Sequence, residues 1–189
     1  MVSGVRDRMV AGAVRLLAER GLQATSLSSV LAATNAPRGS IYHHFPGGKE
    51  ELVAAAIGAT ERHALGLIDA QLGAPAIEVT QSFLAAWRAL LTYGEFEAGC
   101  ALLAVTVAAE TEAMRQRTAE AFRAWQEKLA RALAAGGLSA GDARSTATLL
   151  LAACEGAVVI CRAEREIEPF ELVAAQLIEH VRRLVAASS

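Results

Sequence analysis

The stretch from Ser26 to Lys49 carries the densest chemistry in the chain. Pro37-Arg38-Gly39-Ser40-Ile41-Tyr42-His43-His44-Phe45 puts an arginine, a glycine and a serine in succession at the exposed start of a short helix. Arginine can bond the O6 and N7 of guanine, serine can donate or accept, and glycine lets the backbone come close. Tyr42, His43 and His44 can reach phosphate or sugar oxygens. Lys49 adds a full charge where a helix opens, and a helix N-terminus with free amides, here Gly48 and Lys49, favours a phosphate. Ser26 and Ser28, at the start of the preceding short helix, complete the set.

This is the chemistry of double-stranded DNA recognition. Catalytic patterns are missing: there is no zinc-protease His-Glu arrangement, no nucleophile elbow and no dinucleotide fingerprint. Pro46-Gly47-Gly48-Lys49-Glu50 lacks the first glycine of a phosphate loop and the Ser/Thr after its lysine. His43 and His44 are neighbours on a helix and face apart, so no metal site and no cofactor are expected.

The elements that must position these residues are helices. Of the 189 residues, 53% are apolar and only 5% aromatic, and the apolar set is dominated by the helix formers Ala and Leu. No convincing run of alternating apolar and polar residues marks a strand. The pattern predicts an all-α chain of about nine helices, near 3–20, 27–34, 37–44, 48–72, 76–92, 100–109, 112–135, 139–162 and 169–186. Ser3 is the expected first N-cap, Gly21 the first stop, and Asn35 the left-handed turn between the second and third helices. Pro37 is expected to open the third helix, where its missing N–H costs nothing. Ile41 and Phe45, four apart, would dock that helix on the first two. Two short helices with a tight turn, the second presenting its N-terminal end, form a helix-turn-helix layout.

The formal net charge of −2 conceals an asymmetry. Residues 1–50 hold six Lys/Arg against three acids; residues 51–189 hold 12 against 17. A basic head precedes an acidic body. The expected boundary gives a DNA-binding domain at 1–47 and a larger helical body at 48–189. The longest uncharged run, Gly21 to Pro37, is too polar to span a bilayer, and Arg15 and Glu19 interrupt the N-terminal apolar stretch. With no membrane partner expected and an odd number of cysteines, a reduced cytoplasm is the expected location.

Gly21-Leu22-Gln23-Ala24-Thr25-Ser26, Arg38 to Phe45, and Gly48-Lys49-Glu50-Glu51-Leu52 together resemble the N-terminal signature of the TetR family of transcriptional regulators. Phe96-Glu97-Ala98-Gly99-Cys100, Glu155-Gly156-Ala157, Arg162-Ala163-Glu164-Arg165 and Pro169 resemble its LmrA/YxaF branch. The resemblance implies a homodimer with two DNA-binding heads and a helical body that holds a small-molecule pocket. It also implies a dimer interface on the last two long helices. Ser29 stands where that family commonly has an acidic capping residue, which predicts a slightly weaker second helix.

Within the body, Phe83, Trp87, Tyr93, Phe96, Cys100, Leu103, Val107, Phe122, Trp125 and Glu155 are the candidate pocket residues, since ligand pockets are mostly apolar with few polar groups. The competing reading is ordinary core. Glu155 could instead pair with an arginine across the dimer or face solvent. Leu150, Cys154, Val158, Cys161, Val173, Leu177, Val181 and Leu184 form two apolar stripes expected at the dimer interface. The expected partners are therefore operator DNA, a second copy of the chain and an apolar effector. The rival readings are a helical enzyme or carrier with a vestigial helix-turn-helix, and a repressor that answers to no ligand.

Overall fold

The computed structural model describes residues 4–188, so the expected cap at Ser3 lies outside the described residues. Among them are nine helices and no strand: α1 Val5–Ala24, α2 Leu27–Thr34, α3 Ser40–His44, α4 Gly48–Asp69, α5 Ala76–Tyr93, α6 Ala101–Ala108, α7 Glu112–Ala135, α8 Ala140–Glu164 and α9 Glu168–Ser188. The chain is all-α. Gly21, at φ 79° and ψ 179°, interrupts the helical backbone of α1, and one more turn follows it to Ala24.

The chain divides into two compact units; two of the divisions cut through α4 and α7, and the third falls in the loop between α5 and α6. One unit holds residues to Arg62 together with Cys100–Ala121. Its core includes Met9, Leu16 and Leu17 of α1, Val30 of α2, Ile41 of α3, Phe45, and Leu102 and Val105 of α6. α1 packs along both α2 and α6. The α1–α2 crossing is close because residue 12 is glycine: a Cβ there would lie 2.4 Å from the Thr34 methyl carbon.

The other unit holds His63–Gly99 and Phe122–Ser189. Here α8 and α9 pack on each other and both pack on α5. Leu150, Cys154, Val158 and Cys161 of α8, and Leu177 and Val181 of α9, are buried in this seam, while Val173 and Leu184 are half-buried. Of the eight residues expected to face a second subunit, six are thus already out of water within one chain, and Val173 and Leu184 keep part of their surface. A side chain without exposure in one chain has already been removed from water and has little left to give a partner. The large apolar residues of α8 left in solvent are Leu149, Val159 and Ile160.

α8 is also long and apolar enough, by length and composition alone, to cross a membrane. The expectation drawn from uncharged runs overlooked it. Packing within the chain accounts for part of its apolarity, since ten of its residues are buried.

Candidate nucleic-acid interface

α2 is closed at its start by a reciprocal cap. The Ser29 amide donates to Ser26 Oγ at 3.1 Å, and the Ser26 amide donates to Ser29 Oγ at 2.8 Å. Serine thus performs the capping-box role expected of an acidic residue, so the predicted weakening of α2 is not supported by its geometry. At the other end Asn35 takes the left-handed conformation, φ 50° and ψ 39°, and its amide bonds the Leu31 carbonyl. Asn tolerates this region better than most residues.

The third helix starts later than expected. The Ser40 amide donates to the Pro37 carbonyl at 3.0 Å and its hydroxyl to the same oxygen at 2.6 Å. Pro37 to Gly39 therefore form a tight turn in front of α3 rather than its first turn. The anchor is as expected: Ile41 and Phe45 are buried, and the Phe45 amide caps α3 on the Ile41 carbonyl at 2.8 Å. The Arg6 guanidinium lies 5.2 Å from the centroid of the Phe45 ring. With the apolar pair inside, Pro37, Arg38, Gly39, Tyr42 and His43 are exposed and Ser40 and His44 half-exposed. Ser28 is exposed and Ser26 half-exposed.

The opening of α4 differs from expectation. The Gly48 amide, at a residue with φ 69°, donates to the Phe45 carbonyl at 2.9 Å, and the Gly47 amide donates to the Glu51 carboxylate at 2.8 Å. The Gly48 amide is therefore not free for phosphate; the Lys49 side chain remains half-exposed beside it. Gly12 was not singled out from the sequence. Its signal was a glycine inside an otherwise strongly helical pattern, which marks a close approach.

In the second unit, four of the residues that resemble the LmrA/YxaF branch, Glu97, Gly99, Arg162 and Arg165, meet in one clamp. The loop after α5 holds Glu95 and Phe96 at φ 48° and 62°, left-handed values unusual for residues other than glycine. Arg162 Nη2 bonds the Glu97 carbonyl at 2.8 Å, and Arg165 Nη1 bonds the Glu97 carboxylate at 2.7 Å. The Arg165 bond and its charge hold the Glu97 carboxyl below the usual carboxylate range. Gly99 belongs to the same clamp, because a Cβ there would lie 2.7 Å from Arg162 Nη1.

The candidate pocket residues are dispersed. Phe83 and Trp87 make one edge-to-face pair with centroids 6.2 Å apart, and Phe122 and Trp125 another at 5.8 Å. Trp87, Trp125 and Glu155 are buried, and Phe83, Phe96 and Phe122 are half-buried. Cys100 and Leu103 belong to the first unit, where Cys100 Sγ caps α6 by accepting from the Leu103 amide. Tyr93 and Val107 do not fit the expectation of an enclosed lining: they are 89% and 76% exposed. Tyr93 is the last residue of α5 and Val107 the penultimate residue of α6. The Trp125 indole nitrogen and the Thr146 hydroxyl are buried without a hydrogen-bond partner among the described residues. All three cysteines are buried and none is in a disulfide among the described residues, and burial, with the Glu155 charge second, pushes the Cys154 thiol up to about 12.

Comparison with known proteins adds to this geometry. Residues 9–56 match the family described as bacterial regulatory proteins, tetR family. Residues 76–176 match the transcriptional regulator LmrA/YxaF-like C-terminal domain. The chain is 35% identical over 183 residues to the HTH-type transcriptional regulator Rv0196 of Mycobacterium tuberculosis, covering 93% of each chain. It is 29% identical over 182 residues to the HTH-type transcriptional regulator YxaF of Bacillus subtilis, covering 94% of this chain and 95% of that one. The crystal structure of a TetR transcriptional regulator from Legionella pneumophila shares its fold, with a TM-score of 0.85 at 22% identity, over 95% of this chain and 98% of that one.

Proposed function

The chain belongs to the tetR family of bacterial transcriptional regulators, and from that premise we propose that it is a ligand-responsive repressor. It binds a pseudo-palindromic operator as a homodimer and leaves it when an apolar small molecule binds. It is not an enzyme, and it works in the cytoplasm. Residues 1–47 read DNA, and residues 48–189 carry effector and partner.

One observation carries this reading. Burial of Ile41 and Phe45 leaves Arg38 and Gly39 exposed and Ser40 half-exposed at the leading end of α3, the end that meets base edges in a helix-turn-helix. Arg38 is the base reader, and Tyr42, His43, His44 and Lys49 hold phosphate or sugar. Selection of bound sequences from random duplex DNA with the purified protein tests it. Arg38→Ala should relax preference at one position per half-site, at a cost of about 1–3 kcal/mol. Lys49→Ala should weaken all sequences alike and lower the salt slope by about one per subunit. If both variants lose affinity with no change of preferred sequence, Arg38 does not read bases. If no sequence is enriched, the enzyme or carrier reading replaces this one.

The second copy is placed on α8. Leu149, Ala152, Gly156, Val159, Ile160 and Ala163 recur at helical spacing, carry no charge and are all exposed. An uncharged, largely apolar exposed stripe of this kind suits a self-complementary two-fold contact. The effector is placed in the second unit, against the Phe83–Trp87 and Phe122–Trp125 pairs. A buried indole N–H without an acceptor is costly, and a ligand carbonyl or hydroxyl would supply one to Trp125. The acidic body favours a neutral or cationic compound. Because α4 runs unbroken from Gly48 to Asp69, an effector that prefers one position of this helix changes DNA affinity, and DNA must weaken the effector equally. Tryptophan fluorescence titrated with and without operator tests this. Equal affinity in both states would leave a pocket that is not the switch.

A further inference from the structure

The first unit carries a second feature, away from the helix-turn-helix residues. A groove of about 430 Å³ is lined by Ala11 of α1, by Ala54 and Ala59 of α4, and by the charged residues Arg6, Asp7, Arg62 and Arg117. Over Gly58 of α4, guanidinium nitrogens of Arg62 and Arg117 lie 3.3 and 3.5 Å from the place a Cβ would occupy. Residue 58 therefore lets two cationic groups converge on one patch of an alanine-rich surface.

Converging cations repel unless something compensates them. Arg117 is compensated: it bonds the Glu61 carboxylate at 2.5 Å and lies 3.5 Å from that of Glu120. Arg62 and Arg6 have no ion-pair partner among the described residues. Arg6 rests on the Phe45 ring instead. Asp7 sits in the first turn of α1, where the helix dipole favours a carboxylate, and it pairs with neither arginine. The groove lining thus sets three arginines against Asp7 alone above a floor of alanines, while Glu61 and Glu120 beside it are taken up by Arg117.

We propose that this groove binds a small organic anion. Its carboxylate or phosphate is held between Arg62 and Arg117, and its carbon skeleton lies on the alanines. The planar guanidinium fork of Arg62, which no carboxylate engages, matches both oxyanions, and the Arg117 charge beside it adds to the attraction. The site is distinct from the apolar effector proposed above and does not depend on it.

Calorimetric titration of the full chain with succinate and with inorganic phosphate, against chloride at equal ionic strength, tests the proposal. Saturable binding of at least one probe is expected, one per chain, and the tighter probe identifies the headgroup. Arg62→Ala should weaken it at least about tenfold. Gly58→Ala should also weaken it, by pushing a methyl group against both guanidiniums, while keeping or raising the unfolding temperature because alanine is the better helix former. The absence of saturable heat with both probes overturns the site. So does an affinity that is unchanged in Arg62→Ala.

Discussion

The helix-turn-helix and the α8–α9 seam are both made of packed helices, yet they are held by different means. α2 and α3 total 13 residues and are held by local devices: the Ser26–Ser29 cap, the left-handed Asn35, the Pro37 turn, and two buried side chains four apart. α8 and α9 total 46 residues and are held by a long continuous seam, with no comparable local device at its centre. In the first region function follows from which residues the local geometry leaves outside. In the second, a face that looks ready for a partner in sequence is already used by the chain itself.

The largest effect that separates the two regions is expected from α9. Leu177 is 5% exposed, so Leu177→Glu puts an uncompensated charge into the seam and should cost about 3–5 kcal/mol. Chemical denaturation should show the second unit failing. Ile160→Glu, at a residue 47% exposed, should leave stability within about 0.5 kcal/mol and turn dimers into monomers by sedimentation. The reverse pattern would return the interface to the seam.

Next comes the α1–α2 crossing. Gly12→Ala drives a Cβ into the Thr34 methyl group, which cannot swing away because its hydroxyl bonds the Val30 carbonyl at 2.7 Å. A loss of about 1–3 kcal/mol is expected. Hydrogen exchange should localise it to the first unit, with operator binding lost before the second unit unfolds. Ser26→Ala should cost about 1 kcal/mol through the cap and loosen α2 alone. If it costs nothing, the local devices do not hold the head.

The smallest effects are set by pH, in the second unit. The Arg88–Glu171 pair is bidentate, at 2.5 and 2.8 Å, but each side chain is about two-fifths exposed. Its hydrogen bond holds the Glu171 carboxyl below its ordinary value of 4.5. Its contribution is therefore present above pH 4.5 and disappears as pH falls through the lowered value; solvent screening limits it to about 0.5 kcal/mol. Glu171→Gln should flatten that part of the acid limb. Cys154 acts at the opposite end. Its thiol is pushed up to about 12, so the stability it contributes is intact below pH 9 and lost as pH rises toward 12. Alkylation of native protein at pH 9 should reach Cys154 only as fast as the chain unfolds.

Much of the DNA-reading element was legible in the sequence because its determinants lie within 20 residues of one another. Asn35, Pro37 and the Ile41–Phe45 spacing each act over a single turn, so residue type and position suffice. What was missed there was also local but finer: the hydroxyl of Ser29 doing the work of a carboxylate, and the Phe45 carbonyl taking the Gly48 amide. The resemblance to a known family named the clamp residues Glu97, Arg162 and Arg165 without indicating that they touch.

Helix number and fold class followed from the sequence alone, because helical periodicity is a property of one segment. Which face of each helix meets water did not. α8 is apolar on more than one face: Leu150, Cys154, Val158 and Cys161 point into the seam, and Leu149, Val159 and Ile160 point out. Sequence distinguishes the faces of a helix only when one of them is polar. When both are apolar, only the packing of α5 and α9 decides which is core and which is left for a partner. The same reason places Tyr93 and Val107 in solvent and brings Arg62 and Arg117 together over Gly58, since each position depends on elements distant in the chain.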